Sequence, residues 1–328
     1  MSPSQNIIPI TPAPVLSASP VILAAPGRGE DLQVRISAPA TGSQLPIIVF
    51  AHGFGSSLDG YAPLAQYWAA RGFVVLQPTF LDSRTLSPNP KATHSKAINA
   101  YLADPRKLVI WRFRVEDVKR ILDQLDLLEE ALPNLKGRLD RSRIAAVGHS
   151  FGAQTTSLLL GARVVHPDGR LGEDWADPRI KAGVLLSAAG RGGEDLSPFA
   201  VEHFSYLNMS YAELTTPTLV VAGDADYSPL TVRGPDWFTD AYTLSPGANG
   251  LITLFGAEHM LGGISGYLVT ETTDENPERV AAVQQLTYAY LRSALYPEDP
   301  AWTNAVAGFS NSSLGQVEEK KPTSALPQ

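Results

Sequence analysis

The chain has 328 residues, 44% hydrophobic and 18% charged, enough hydrocarbon for a substantial core, which excludes wholesale disorder. A net charge of -7 with a pI near 5.4 and no basic cluster excludes a nucleic-acid binder and favours a small neutral or apolar ligand. Cysteine is absent, so disulfides, thiolate metal sites and a cysteine nucleophile are excluded together.

Residues 1–20 are rich in Pro, Ser and Thr, lack periodicity, and contain no Lys or Arg. They read as a flexible segment, with neither a signal peptide nor a membrane span, and the expected location is the cytoplasm, or outside the cell if a signal has been cleaved. One catalytic domain is expected over 21–300. Residues 32–38 alternate as an edge strand does; Ile47, Ile48, Val49 and Phe50 form a buried strand between Pro46 and Gly53. Helical spacing over 61–71 stops at Gly72, and a second buried run, 73–76, is ended by Pro78.

Residues 109–132 predict one long helix, with Val115, Val118, Ile121, Leu122, Leu125 and Leu128 on its apolar stripe and Pro133 after it. Its charged residues, Arg114 and Asp117 included, read as a solvated face. A third buried strand, 144–147, runs directly into Gly148, His149, Ser150, Phe151 and Gly152, and a helix is expected over 153–162. Runs at 182–187, 218–222 and 251–254 supply further strands, 277–295 a closing helix, and 301–328 a flexible tail. There is no internal repeat. This alternation predicts an α/β fold with a mostly parallel sheet of about eight strands and helices on both faces. Two connections, 81–106 and 191–217, are long enough to be lid insertions. The second carries Phe199, Phe204, Tyr206, Leu207, Met209 and Tyr211, which could roof a site or form a minor core.

The chemistry concentrates at G-x-S-x-G, residues 148–152, between a buried strand and a helix. Such a turn presents Ser150 above the sheet at a helix N-terminus, where free N–H groups favour developing negative charge. A serine needs a base to take its proton, and in this arrangement the order is Ser, acid, His. His52, His94 and His149 precede Ser150, His166 follows too soon, and His203 lies before the strand expected to carry the acid. His259, after the run 251–254, is left as the base. After the run 218–222 come Asp224 and Asp226; by fold analogy the acid stands last, which favours Asp226 and leaves Asp224 as a turn residue. Oxyanion donors are expected from the N–H of Phe151 and, in the segment His52-Gly53-Phe54-Gly55, that of Phe54. Phe80, Trp237 and Met260 are candidate pocket walls for an apolar or aromatic group.

These segments, with Tyr61, Ala69, Arg71, Gly72, Phe73, Val74 and Val75, resemble the α/β-hydrolase superfamily over residues 30 to 295. Within it they are similar to the chlorophyllase, dienelactone hydrolase and platelet-activating-factor acetylhydrolase-like esterases. A dienelactone hydrolase proper would carry a cysteine nucleophile, which this chain does not have. The resemblance implies the α/β-hydrolase fold and hydrolysis of a small-molecule carboxylic ester by Ser150, His259 and Asp226, with neither cofactor nor metal. The same triad would serve an acyltransferase, thioesterase or amidase, and the fold without catalysis would serve a small-molecule binder; oligomeric state has no signature here.

Overall fold

The structure, a computed structural model, describes residues 11–91, 93–266 and 271–320. Its strands are β1 (Val15–Leu23), β2 (Leu32–Pro39), β3 (Leu45–Ala51), β4 (Val74–Thr79), β5 (Leu139–His149), β6 (Arg163–Val164), β7 (Ile180–Leu186), β8 (Met209–Ser210), β9 (Thr218–Gly223), β10 (Ala248–Leu254) and β11 (Gly315–Glu319). Its helices are α1 (Ala62–Ala69), α2 (His94–Ala103), α3 (Ile110–Asp123), α4 (Leu125–Ala131), α5 (Phe151–Leu159), α6 (Pro198–His203), α7 (Asp240–Leu244), α8 (Pro277–Leu295) and α9 (Ala301–Phe309). Nine strands form one sheet in the order β1-β2-β4-β3-β5-β7-β9-β10-β11; β6 and β8 pair separately. From β4 to β10 neighbouring strands of the large sheet run parallel, and antiparallel pairs close both edges.

The central strands are apolar on both faces because both are covered. In β3, Ile47 and Val49 enter the core beneath α3, α4 and α5, while Ile48 and Phe50 meet Leu64 and Trp68 of α1 and Leu286 and Tyr290 of α8. The expected α/β architecture is present, with additions at both ends of the chain. Residues 15–23 are an edge strand rather than part of a flexible segment: Pro20 sits at an irregularity in the pairing with β2, where a residue without an N–H is tolerated. The tail expected to be flexible contributes α9 and β11, and Val317 of β11 pairs with Ile252. Residues 1–10 and 321–328 of those two segments lie outside the described residues.

The long helix expected over 109–132 is two. The backbone of Gln124 leaves helical geometry at φ −117° and ψ 29°, and α4 then buries Leu125 and Leu128. The solvated-face reading of α3 is also overturned: the side chains of Arg114 and Asp117 are both fully buried and ion-paired, to Asp82 and Arg28. Their partners lie on other elements, out of view of helical periodicity. Among the described residues, no helix is long and apolar enough to cross a membrane.

Candidate active site

Strand β5 ends at His149 and α5 begins at Phe151, so Ser150 forms the whole turn, at φ 54° and ψ −120°. That strained conformation needs close passage of the flanking backbone. A Cβ on Gly148 would stand 2.1 Å from the Gly152 carbonyl oxygen, and one on Gly152 would stand 1.9 Å from that of Ala51. The two glycines are therefore steric requirements of the turn. The N–H of Ser150 donates to Leu186 O at 2.9 Å, fixing the turn to β7.

Asp226 follows β9, and His259 follows β10, its parallel neighbour, which brings the two loops to one end of the sheet. His259 Nδ1–H donates to the Asp226 carboxylate at 2.9 and 3.1 Å, leaving the Nε2 lone pair for the Ser150 hydroxyl, 2.8 Å away. Asp226 is wholly buried whereas the His259 side chain is 37% exposed, so the carboxylate is shielded while the imidazole stays reachable. Asp224 points elsewhere: it is exposed and accepts the Gly256 N–H at 2.6 Å.

Two further histidines brace these loops. His149 Nε2–H donates to the main-chain oxygen of His259 at 2.7 Å, a carbonyl that also accepts from Ser187 Oγ at 3.2 Å. Its Nδ1 accepts from Tyr61 Oη at 2.8 Å, and the same phenol oxygen accepts the Gly53 N–H at 3.1 Å. His52 Nδ1–H donates to Gly53 O at 2.7 Å, and Nε2 accepts the Phe80 N–H at 3.1 Å. Burial holds both imidazoles neutral, His52 down to about 3 with Arg114 adding to the effect and His149 down to about 3 with His259 adding to it.

Around Phe54, the Gly53 N–H is taken by Tyr61 and the Gly55 N–H by Asp82 Oδ2 at 3.2 Å. No hydrogen bond engages the N–H of Phe54 or of Phe151 among the described residues. Both rings are half-buried. Beneath them the Arg114 guanidinium lies 4.2 Å from the Phe80 ring centroid and 4.3 Å from that of Phe151. Burial raises the Asp82 carboxyl, but the charge of Arg114 and the hydrogen bonds from Arg114 and the Gly55 N–H outweigh it and hold the group below the usual carboxylate range.

Of the expected pocket walls, Met260 is half-buried beside His259. The other two are corrected. Phe80 is inaccessible, packed between His52 and Arg114 under the loop, and Trp237 is a core residue whose indole N–H donates to Arg191 O at 3.0 Å. Hydrophobicity marks a side chain as inward-facing without distinguishing core from cavity. The two long insertions meet: the Tyr206 hydroxyl donates to that of Tyr101 at 2.8 Å, because the Tyr101 proton is committed to Lys107 O. Phe54 lies edge-on to Tyr101, Phe151 stacks on Tyr206, and half-buried Phe204 stacks on Tyr101. Tyr206, Leu207, Met209 and Tyr211 are core, leaving Phe199 and Phe204 facing outward. A cleft of about 400 Å³ between Asp82, Lys96, Tyr101 and Arg106 is separate from Ser150 and His259. Among the described residues no cluster of His, Asp and Glu is placed to hold a metal ion.

The sequence reading missed the bracing residues Tyr61, Asp82, Arg114 and His149. The only signals available were Tyr61 in the early segment and His149 within the elbow, and neither spacing nor residue type joins them to their partners.

Residues 48–308 match the family model described as "Alpha/beta hydrolase family". The chain is 26% identical over 203 residues to a platelet-activating factor acetylhydrolase of Cavia porcellus, an alignment covering 54% of this chain and 43% of that protein. It is 24% identical over 179 residues to cutinase est1 of Thermobifida alba, covering 55% and 42%, and 23% identical over 219 residues to cutinase est2 of the same organism, covering 66% and 54%. The chain thus spans about half, or somewhat less, of the length of these relatives.

Proposed function

The chain belongs to the alpha/beta hydrolase family, and from that premise we propose that it is a serine hydrolase cleaving carboxylic esters through an acyl-enzyme. The observation that carries the reading is the continuous line from buried Asp226 through His259 to the Ser150 hydroxyl, with each contact at 2.8 to 2.9 Å. The relatives named as an acetylhydrolase and as cutinases favour ester hydrolysis.

Ser150 Oγ attacks the ester carbonyl as its proton passes to His259 Nε2, and Asp226 stabilises the resulting imidazolium. The N–H groups of Phe54 and Phe151 receive the oxyanion. Collapse expels the alcohol, which takes the proton from His259. Water then attacks the acyl carbonyl, again losing its proton to His259, and the acid leaves as Ser150 recovers its hydrogen. The half-buried rings of Phe54, Phe151 and Phe204, with Met260, favour an apolar or aromatic acyl group.

The test is intact-mass measurement after a fluorophosphonate, followed by peptide mapping. One adduct on Ser150, absent in Ser150→Ala, is expected; a folded chain that takes no adduct would leave the non-catalytic binder as the better reading. Partitioning between water and an added alcohol then separates hydrolysis from transfer.

A further inference from the structure

We propose that Arg114 is the positioning residue of the oxyanion pocket, fixing the Phe54 and Phe151 N–H groups relative to each other; this rests on the hydrolase reading above. The two groups belong to different elements, one to the loop after β3 and one to the start of α5. Arg114, on α3, touches both sides. Its Nη2 donates to His52 O at 2.9 Å, and its Nε and Nη2 hold Asp82 at 2.8 and 3.2 Å. Asp82 in turn accepts the Gly55 N–H, so the pair grips the loop on both sides of Phe54. On the other side the guanidinium plane supports the Phe151 ring, and Nη1 donates at 3.3 Å to Thr155 Oγ1, whose own proton goes to Phe151 O at 3.0 Å.

The pair of Arg114 and Asp82 is neutral overall, so its effect on an oxyanion is geometric rather than a net positive field. Neither side chain has any exposure, and a buried ion pair is a poor stabilising device compared with hydrocarbon of the same volume. A planar fork with a flat face does what hydrocarbon cannot: it fixes a carbonyl, a carboxylate and a ring in one plane and stack. Displacing a reacting group by an ångström is enough to slow an enzyme about 100-fold.

Arg114→Lys keeps the charge and loses the fork and the flat face. With an activated ester as substrate, kcat is expected to fall about 10- to 100-fold while KM stays within about threefold. Affinity for a trifluoromethyl ketone, which forms the oxyanion on Ser150, falls by the same factor as kcat/KM. The loss is the same factor at every pH, because the substitution alters neither His259 nor Asp226. Hydrogen exchange of the peptide carrying Gly55 accelerates. Should Arg114→Lys fail to fold, Arg114→Met with Asp82→Asn removes both buried charges together and is held to the same four readouts. Unchanged kcat, a rise in KM that accounts for the loss, a loss that varies with pH, or unaltered exchange at Gly55 would each overturn the proposal. Wild-type protein without Ser150-dependent turnover sinks the hydrolase reading instead, and exchange at Gly55 still decides whether Arg114 holds the loop.

Discussion

Beneath Ser150 the chain buries ionisable side chains, and beside it the chain lays aromatic rings. The lower layer joins Arg114 to Asp82 and His52, and Tyr61 to His149, with Gly53 bonded to both His52 and Tyr61; each of the five side chains is fully or almost fully buried. The upper layer, from the insertions at 81–106 and 191–217, packs Tyr101 against Phe54 and Tyr206 against Phe151, with Phe204 stacked on Tyr101 and one hydroxyl pair between the insertions. Directional bonds in a dry environment fix positions to fractions of an ångström, whereas ring contacts tolerate sliding. For the proposed hydrolase, the contrast gives geometry of reaction to the lower layer and accommodation of substrate to the upper one. Substitutions in the two should therefore fail in different ways.

The largest effect is expected at the partner of His259. Asp226→Asn offers the imidazole an amide that can accept or donate, and the wrong tautomer puts a proton between Nε2 and Ser150; kcat should drop about 10³- to 10⁴-fold. Asp224→Asn, which touches only a turn N–H, should leave kcat within about twofold. Measuring both variants with one chromogenic ester decides between the two carboxylates, and a larger loss at Asp224 would reverse their roles.

Next comes the elbow. In Gly152→Ala the new methyl would meet the Ala51 carbonyl oxygen at 1.9 Å, a backbone atom, with no flexible side chain to yield. Overpacking of this kind costs about 3 kcal/mol or more. The expected result is a sharply lowered unfolding midpoint together with loss of fluorophosphonate labelling at Ser150. Full labelling at wild-type stability would mean that the glycine is dispensable to the turn.

These two sites show what a sequence can carry. The elbow was legible because its requirements are local: a buried run, two small residues and a serine lie within nine positions, 144–152. His259 was legible by chain order. Arg114 was not, since its burial depends on Asp82, 32 residues away on a connection without secondary-structure signature. Helical periodicity places Arg114 on a face, but only tertiary structure says what covers that face. Phe80 and Trp237 fail for the related reason that apolarity is shared by cores and pockets. At β1 the prolines disguised a strand that an edge position permits, and the sheet gained its ninth strand from a tail whose polar residues give no alternation to read.

Protonation probes the lower layer without altering its shape. His149 takes a proton in the folded chain only near pH 3, against 6.5 for an ordinary histidine. Between those values the unfolded chain binds the proton and the folded chain does not, so stability is fully present above about 6.5 and is lost as pH falls below it. From pH 7 to pH 5 the loss from one such histidine is about 2 kcal/mol. His149→Gln keeps a donor for His259 O and an acceptor for the Tyr61 hydroxyl without titrating. Urea unfolding at both pH values should show the variant losing about 2 kcal/mol less than wild type. Equal losses would mean that His149 is protonated in the folded chain, and its tie to His259 would have to be redrawn.

The smallest effect belongs to the upper layer, and its size is the point. Tyr206→Phe removes the donor to Tyr101 Oη while retaining the ring that stacks on Phe151. One lost buried hydrogen bond costs about 1 kcal/mol, which in a chain of this length is about 2 °C in Tm. The floor is untouched, so kcat for an acetyl ester should not change. For an ester with a large aromatic acyl group the loosened rings should alter KM by about two- to fivefold, in either direction according to whether fit or room dominates. A fall in kcat for the acetyl ester would show that the insertions help to hold Phe151 in place, and the separation of layers would then be one of degree, with Tyr206 supporting the oxyanion pocket from above as Arg114 does from below.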